Sequence, residues 1–351
     1  MQVGIVLAIK TLANRFEPLN EVYREFVGDA LLAEDLGFDF ASTSEHHFED
    51  DAWSPSQLPI LAYLAARTSR MRLHTNVFLL PLHDPLQVSE DAATVDILSN
   101  GRLDLICGSG SVAEEFRTWG IDPRARWGRL FEGLEVIGRS FVEEEFDYSG
   151  KHFTYPGVRQ TTKPVQQPFP LWVGGFGAKL QYRAGKAGYH AQGPTRFRPE
   201  YLQGLAEAGR DPADMNLASF VSGHLAASRE KAWEECREGW WNWQNEYRKR
   251  TWIAMIDSGG VPPLPPLDEL PEPPSGNMAP LLGTPDDILA ALEPMLRESD
   301  CTHFSFGFRA SGGNMPAQVA RPTIELFAKE VLPVLRGWGR EPKTSRAAGT
   351  N

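Results

Sequence analysis

The sequence is poor in cysteine and has no long hydrophobic run. Its 351 residues contain three cysteines, Cys107, Cys236 and Cys301, which lie far apart and are odd in number. Neither a disulfide framework nor a zinc cluster fits this pattern, whereas a reducing compartment does. No apolar run approaches the roughly 20 residues that a membrane-spanning helix needs, so the sequence argues against a membrane protein.

Basic residues are outnumbered. The chain has 35 Lys and Arg against 46 Asp and Glu, which gives a formal net charge of −11. An acidic protein repels phosphate backbones and anionic lipid surfaces, so we expect neither nucleic acid nor a membrane as a partner. Residues Met1–Lys10 lack a basic region and a cleavage-type site, and they alternate like a strand. We therefore expect a mature cytoplasmic protein.

Hydrophobic residues make up 42% of the chain, which is ample for a globular core. Apolar, β-branched or aromatic runs recur with helical stretches between them. These runs predict eight strands, over Val3–Ile9, Phe38–Thr43, Arg72–Phe78, Leu103–Cys107, Leu171–Gly174, Tyr189–Gln192, Asn216–Ser222 and His303–Phe308. Eight strand–helix units predict an α/β protein with a (β/α)8 TIM barrel, and an open doubly wound sheet is the alternative.

Two segments interrupt the alternation, and both are expected as loop insertions on the C-terminal face of a single barrel domain, residues 1–336. Residues 143–170 are turn-rich and form an excursion before the fifth strand. Residues 257–280 contain eight prolines, which excludes a helix or a central strand and predicts a functional lid or a disordered loop. The tryptophans of residues 240–252, just before this loop, are either hydrophobic anchors or a pocket wall. Residues 337–351 are expected to be a flexible tail.

Polar residues and glycines follow several predicted strands. Because the functional face of a parallel barrel is built by the loops after the strands, we expect these residues to meet on one rim. They are Glu45-His46-His47-Phe48 after strand two, Asn76 after strand three, Gly108-Ser109-Gly110 after strand four, Gly174-Gly175-Phe176-Gly177 after strand five, and Arg309 after strand eight.

The run Glu45-His46-His47 has three interpretations. The first is a structural pair of histidines, which is the commoner role of such a dipeptide. The second is a metal site, but barrel metal sites usually need His-x-His, because adjacent strand residues point in opposite directions. The third is acid–base chemistry near neutral pH, which the pKa of histidine suits. The strand-end position favours the third interpretation for one of the two rings, and we expect no metal.

Two glycine-rich turns suggest contacts with a ligand. Gly174-Gly175-Phe176-Gly177 precedes a helix near Ala178, so it is either a phosphate-binding turn or a tight connection. Gly108-Ser109-Gly110 begins a G-x-G-x-x-A sequence, but no strand ending in an acidic residue follows about 20 residues later, as a dinucleotide site requires. A glycine-lined floor beneath a flat ring ligand is the better interpretation of this second turn.

Blocks of sequence along nearly the whole chain resemble the bacterial luciferase-like monooxygenases. They are Glu45-His46-His47-Phe48, Arg70-Met71-Arg72-Leu73-His74-Thr75-Asn76-Val77, Leu80-Pro81-Leu82-His83-Asp84-Pro85, Glu90-Asp91-Ala92-Ala93-Thr94-Val95-Asp96, Ser99-Asn100-Gly101-Arg102-Leu103-Asp104, Glu114-Glu115-Phe116, Gly120-Ile121-Asp122, Lys163-Pro164-Val165-Gln166, Pro170-Leu171-Trp172-Val173-Gly174-Gly175, Leu282-Gly283-Thr284-Pro285 and Phe306-Gly307-Phe308. These blocks occur in order from Glu45 to Phe308, which is more specific than any one motif.

The resemblance implies a (β/α)8 barrel that uses reduced FMN and O2 to oxygenate a small organic substrate through a flavin C4a-hydroperoxide. It makes His46 the reactive histidine, with Glu45 beside it. It also implies a separate NAD(P)H:flavin reductase, since no nicotinamide motif is present, and a homodimer. The proline-rich loop would be the lid over the flavin. Family members that transfer hydride with the deazaflavin F420 are the alternative, and a non-catalytic flavin-binding protein or a metallohydrolase are further ones.

The cofactor contacts follow from the same resemblance. Asn76-Val77 matches a position beside the flavin where a non-proline cis peptide bond occurs. Gly174 to Gly177 and Lys179 fall where the phosphate is held, and Gly108 and Ser109 would lie near the ring. Luciferase itself has a cysteine and an arginine where this chain has Gly108 and Ser109, which argues against light emission.

Overall fold

A computed structural model of the protein describes residues 1–11, 18–253, 261–270, 279–297, 299–309, 315–343 and 346–347. These residues form two compact units. The first unit comprises Met1–Pro55, Leu217–Thr251 and Met255–Pro342, and the second comprises Ser56–Asn216, Trp252–Ala254 and Lys343–Asn351.

Eight strands alternate with helices along the described chain. They are Gln2–Leu7 (β1), Phe40–Thr43 (β2), Arg72–Thr75 (β3), Leu103–Cys107 (β4), Leu171–Gly174 (β5), His190–Gln192 (β6), Leu217–Leu225 (β7) and His303–Gly307 (β8). All eight overlap the runs predicted from the sequence. The fold is a (β/α)8 TIM barrel, which confirms the predicted class.

The strands within each unit pair in parallel. In the first unit β7 pairs with β8, β8 with β1, and β1 with β2, with Val3 opposite Phe304 and Gly4 opposite Phe40. A short strand, Leu281–Gly283, adds to β7. In the second unit the order is β3, β4, β5 and β6. Parallel neighbours need crossover connections, and the helices provide them.

The described residues form eleven α-helices. They are Leu19–Asp35 (α1), Gln57–Arg67 (α2), Pro85–Ser99 (α3), Ala113–Thr118 (α4), Arg126–Val142 (α5), Ala178–Ala187 (α6), Arg198–Glu207 (α7), Arg229–Lys249 (α8), Pro285–Leu296 (α9), Ala317–Glu330 (α10) and Leu332–Arg336 (α11). None of them is long and apolar enough to cross a membrane.

Local signals set the helix ends. The carboxylate of Asp84 accepts hydrogen bonds from the backbone N–H groups of Leu86 and Gln87, and Pro85 occupies the first position of α3. The same helix stops at Asn100, which adopts the left-handed conformation that terminates helices. These signals place the loop between β3 and α3, where predicted site residues lie, at a fixed position.

The predicted excursion of residues 143–170 contains regular structure that the sequence did not reveal. Strands Phe146–Ser149 and Thr154–Val158 pair as an antiparallel hairpin, whose apolar side chains pack on Val136 of α5. Further along, Gln166–Gln167 pairs with Arg346–Ala347 of the C-terminal segment. The described part of the predicted tail is therefore partly hydrogen-bonded to the rest of the second unit.

Part of the predicted lid, residues 261–270, lies on α8. The backbone N–H of Leu264 donates to the Asn245 side chain over 2.9 Å, and the Trp241 indole donates to the Pro265 carbonyl over 2.7 Å. Leu264 and Leu270 pack against the buried cluster around Trp240. Residues 257–260 and 271–278 of the predicted lid lie outside the described residues. The segment that is described has more anchors than its low apolar content predicts.

Candidate active site

The predicted Glu45-His46-His47 run follows β2 directly. The ring nitrogen Nε2 of His47 lies 2.8 Å from Glu45 Oε1, and both side chains are buried. A buried carboxylate that holds an imidazole through a short hydrogen bond fixes both groups. Glu45 and His47 therefore fix one another's orientation. The predicted catalytic role of Glu45 stays a prediction.

His46 has different surroundings. Its ring is half-buried and meets the ring of Trp53 edge to face at 4.6 Å, with the ring of Tyr247 at 5.9 Å. Its backbone N–H donates to the carbonyl of Ser54. The aromatic neighbours orient the imidazole and leave it partly accessible. Since histidine exchanges protons near neutral pH, an oriented and accessible ring suits acid–base chemistry.

The structure adds a buried lysine to this group, which the sequence did not single out. Lys10 follows β1 and its side chain is 2% exposed. Its Nζ lies 3.4 Å from Asp51 Oδ2 and 4.2 Å from the centre of the Trp53 ring. Burial, helped by the nearby charge of Arg250, lowers the pKa of Lys10 to about 7 against the opposing effects of Asp51 and Glu49.

The second unit holds the other predicted contacts. The peptide bond between Asn76 and Val77 is cis, as the family resemblance implies. Gln57, which is fully buried, brackets this bond with both ends of its amide. Its Nε2 donates to the carbonyl of Val77 over 2.9 Å, and its Oε1 accepts from the N–H of Asn76 over 3.1 Å. Gln57 is a positioning residue that sequence reasoning missed.

We expect Gln57→Leu to lower the free energy of unfolding by about 1–3 kcal/mol, because the part-buried N–H of Asn76 and the carbonyl of Val77 lose the hydrogen bonds to the Gln57 amide. Gln57→Glu is the matched variant, since it keeps the acceptor for Asn76 and loses the donor to Val77. Its loss in urea unfolding should be intermediate. Equal stability of Gln57→Leu and the wild type would contradict the bracketing role.

The side chain of Val77 explains two of the predicted glycines. A Cβ atom at Gly108 would approach Val77 Cγ2 to 2.3 Å, and one at Gly174 would approach Val77 Cγ1 to 2.3 Å. Both glycines therefore have a packing reason, since any side chain would displace Val77. The structure brings Val77, Gly108 and Gly174 together, as predicted. Ser109 is partly buried beside them, and its hydroxyl lies 3.5 Å from the carbonyl of Gly110.

The turn after β5 leads into α6 through Gly177. This residue is the N-cap of α6, no side chain caps the helix, and a Cβ at Gly177 would meet no atom within 4 Å. The first N–H groups of a helix have no partners within it, so they can bind an anion. Gly175 has a φ of +153° and its Cβ would lie 2.7 Å from Leu180 Cδ2, which makes glycine the fitting residue there.

Two cations lie on the first two turns of α6. Lys179 Nζ lies 5.6 Å from the ring centre of Trp127, and the guanidinium of Arg183 lies 5.7 Å from it. Arg183 also stacks on Phe131 at 4.2 Å. Two positive side chains on the first turns of a helix strengthen its attraction for an anion. Phe176, also predicted here, is exposed, with 67% of its surface accessible.

One predicted rim residue has another role. Arg309 follows β8, but its side chain is buried against α1, where it pairs with Asp29 over 2.6 Å and with Glu25 over 3.0 Å. Its guanidinium also stacks on Phe26. Arg309 therefore joins α1 to the end of β8, and its place on the functional rim stays a prediction.

Comparisons with known proteins agree on one family. The sequence profile of the luciferase-like monooxygenases matches residues 1–298. The chain is 29% identical over 156 residues to the oxygenase component of the flavin-dependent trigonelline monooxygenase of Acinetobacter baylyi, which covers 44% of this chain and 43% of that protein. It is 24% identical over 348 residues to an F420-dependent glucose-6-phosphate dehydrogenase of Amycolatopsis mediterranei, covering 94% and 98%.

A solved structure has the same fold. The monooxygenase RslO1 from Streptomyces bottropensis superposes with a TM-score of 0.80 at 24% identity and covers 95% of this chain and 99% of its own. Several sequence matches are partial, and the chain spans about half the length of the first curated relatives it matches, at 48% and 46%.

Proposed function

This chain belongs to the luciferase-like monooxygenase family, and on that premise we propose that it is a flavin-dependent monooxygenase that oxygenates a small organic substrate with reduced FMN and O2. The observation that carries the proposal is the glycine-rich turn from Gly174 to Gly177, which leads into α6 with no side-chain cap on the helix. Related proteins named as oxidoreductases support the reaction class.

The donor set fits a phosphate group. Gly177 leaves the N-terminus of α6 without a side-chain cap, and Lys179 and Arg183 bring positive charge to its first two turns. A phosphate monoester needs several N–H donors and nearby cations, and this turn offers both. We assign Gly174–Gly177 and Lys179 to the phosphate, and Asn76, Val77, Gly108 and Ser109 to the ring system.

Bound reduced flavin supplies the electrons that activate O2 for transfer of one oxygen atom to the substrate. The chain's part is to orient the reactants and to handle protons. In the proposal His46 holds or releases a proton at an imidazole nitrogen, and the edges of Trp53 and Tyr247 orient its ring. Glu45 supports this indirectly, through its hydrogen bond to the adjacent His47.

An F420-dependent oxidoreductase is the second candidate, because the relative from Amycolatopsis mediterranei matches 94% of this chain. F420 transfers hydride and does not activate O2. Its phosphate group would also suit the turn before α6, so the turn does not distinguish the two cofactors. Absorbance of the bound cofactor and consumption of O2 distinguish them directly.

Several partners belong to the proposal. A relative named as the oxygenase component of a flavin-dependent monooxygenase supports a separate NAD(P)H:flavin reductase as the source of reduced FMN. Mixing the pure protein with an NADH:flavin reductase, FMN and candidate substrates tests the function through incorporation of 18O from O2 into product. Homodimeric assembly and a cytoplasmic location stay predictions.

The proline-rich loop is proposed as a lid that keeps water from the reacting flavin. Replacing residues 257–280 with a short Gly-Ser linker should preserve FMN affinity but raise the hydrogen peroxide released per reduced flavin oxidised. Peroxide and product are measured together by a coupled assay and chromatography. The double variant Trp241→Phe with Leu264→Ser is the milder counterpart, since it loosens only the contacts on α8. If the shortened protein formed as much product per O2 consumed as the wild type, the loop would be only a connection and the lid proposal would fail.

A further inference from the structure

Lys10 belongs to a group of cations and aromatic rings within the first unit, which we call the cation–aromatic cluster. Its members come from three places in the chain, after β1, after β2 and at the C-terminal end of α8. They are Lys10, Glu49, Asp51, Trp53, Trp243, Tyr247 and Arg250. The cluster adjoins His46, whose ring contacts both Trp53 and Tyr247.

Both cations of the cluster are buried with unused donors. Lys10 is 2% exposed and Arg250 is 6% exposed. Among the described residues, Asp51 at 3.4 Å is the acceptor near Lys10 Nζ, and no guanidinium nitrogen of Arg250 makes a well-aligned hydrogen bond. Lysine has three N–H donors and arginine has five, and buried donors without partners are rare in folded proteins. A ligand with acceptor oxygens would satisfy them.

The carboxylates near Lys10 and Arg250 do not match all of the N–H donors of these two cations. Asp51 lies 3.4 Å from Lys10, and Glu49 lies 3.0 Å from Arg250, so each cation has one carboxylate close by. These two carboxylates balance the charge of Arg250 and of Lys10 in its ammonium form. Each carboxylate reaches only part of the donors of its cation. A further carboxylate can therefore enter only together with the proton that converts neutral Lys10 to the ammonium form.

Aromatic rings supply flat apolar surfaces around the cations. The Trp53 ring lies under Lys10 at 4.2 Å and beside Arg250 at 5.3 Å, and Tyr247 stacks on Arg250 at 4.5 Å. The ring of Trp243 lies 5.3 Å from that of Tyr247. Trp243 and Tyr247 are half-buried, so the cluster reaches the surface on the α8 side. Surfaces of this kind favour a planar ring.

We propose that Lys10 and Arg250 bind the carboxylate of the organic substrate and that Trp53, Trp243 and Tyr247 contact its ring, so that the substrate class is planar aromatic acids. This inference rests on the proposed monooxygenase function and deepens it. The adjoining His46 would then lie close to the substrate as well as to the cluster.

Proton linkage follows from the state of Lys10. Because the pKa of Lys10 is lowered to about 7, the amine is largely neutral at pH 8 in the empty protein. A bound carboxylate stabilises the ammonium form, so binding at pH 8 should take up about one proton. The groups that face Lys10 are Asp51, Glu49 and Arg250, with His46 across Trp53. Affinity should fall up to about 10-fold per pH unit above pH 8.

The test is calorimetric titration of the full chain with benzoate and with benzamide, its neutral counterpart, in two buffers of different ionisation enthalpy. We expect benzoate to bind at least about 10-fold more tightly than benzamide and to take up about one proton at pH 8. Lys10→Met should weaken benzoate binding roughly 10- to 100-fold and abolish the proton uptake. Arg250→Gln should weaken it similarly while keeping the uptake.

Lys329→Met is the matched control, because it removes an equal charge from an exposed side chain whose ion pair, within the described part of the chain, is with the neighbouring Glu330. FMN affinity is measured on the same samples. Equal binding of benzoate and benzamide, absence of benzoate binding, or unchanged binding in both Lys10→Met and Arg250→Gln would overturn the inference. If the wild-type protein did not bind FMN at all, the proposed function would be contradicted instead. The two failures are therefore distinguishable.

Discussion

His46→Ala is expected to lower turnover about 100-fold or more, the scale of lost general acid–base catalysis, while FMN affinity changes little. The ring of His46 is half-buried and oriented by Trp53 and Tyr247, so it is available for proton transfer. Its neighbour His47 is committed to Glu45. Single-turnover oxygenation under O2, with substrate and reduced FMN premixed, measures the effect.

Two variants control this experiment. His46→Gln keeps a polar side chain of similar length but cannot exchange protons near neutral pH, so it should lose activity nearly as much as alanine. His152→Ala removes a histidine of the hairpin excursion, which should leave turnover unchanged. Near-normal turnover of His46→Ala would remove this residue from the mechanism. A comparable loss in His152→Ala would indicate a general effect on folding.

Gly177→Asp is expected to abolish the preference of the protein for FMN over riboflavin, which should be roughly 10- to 100-fold in the wild type. An aspartate at the N-cap places negative charge where the phosphate binds, and it also caps α6. The variant should therefore bind FMN weakly and yet unfold at a slightly higher temperature than the wild type. Fluorescence titration with both flavins and thermal unfolding measure the two effects.

Gly177→Asn is the neutral partner of this variant, since asparagine also caps helices and carries no charge. It should retain most of the preference for FMN. Gly175→Asp should abolish the preference as well, but it is the less informative change, because Gly175 has positive φ and its Cβ would strike Leu180. Equal affinity of the wild type for FMN and riboflavin would refute the phosphate assignment.

The strands were predictable because each is a short apolar run bounded by turn residues. Leu103–Cys107 and Leu171–Gly174 have the predicted limits, whereas β1 begins and ends earlier than predicted and β7 continues to Leu225. The hairpin at Phe146–Val158 was missed because its strands alternate around an exposed face and are interrupted by Pro156 and Gly157. Turn residues punctuated the segment so densely that it was interpreted as loop.

The candidate site was predictable where residues follow strands in one short run, as with His46, Val77 and the turn before α6. Contacts made over long sequence separations were not. Lys10 is defined by Asp51 and Arg250, which lie about 40 and 240 residues away. Gln57 is defined by its bonds to a peptide 20 residues on. The pairing of Arg309 with Asp29 was also not predictable, because a carboxylate in the third turn of a helix is ordinarily exposed to solvent.

The central claim is that reduced FMN is the cofactor, and anaerobic titration of the protein with reduced FMN and with reduced F420 tests it most directly. The account predicts that reduced FMN binds at least about 10-fold more tightly than F420. On exposure to O2 the FMN complex should consume one O2 per flavin and oxygenate the substrate. Tighter binding of reduced F420 than of reduced FMN, together with hydride transfer to the substrate and no consumption of O2, would contradict this claim.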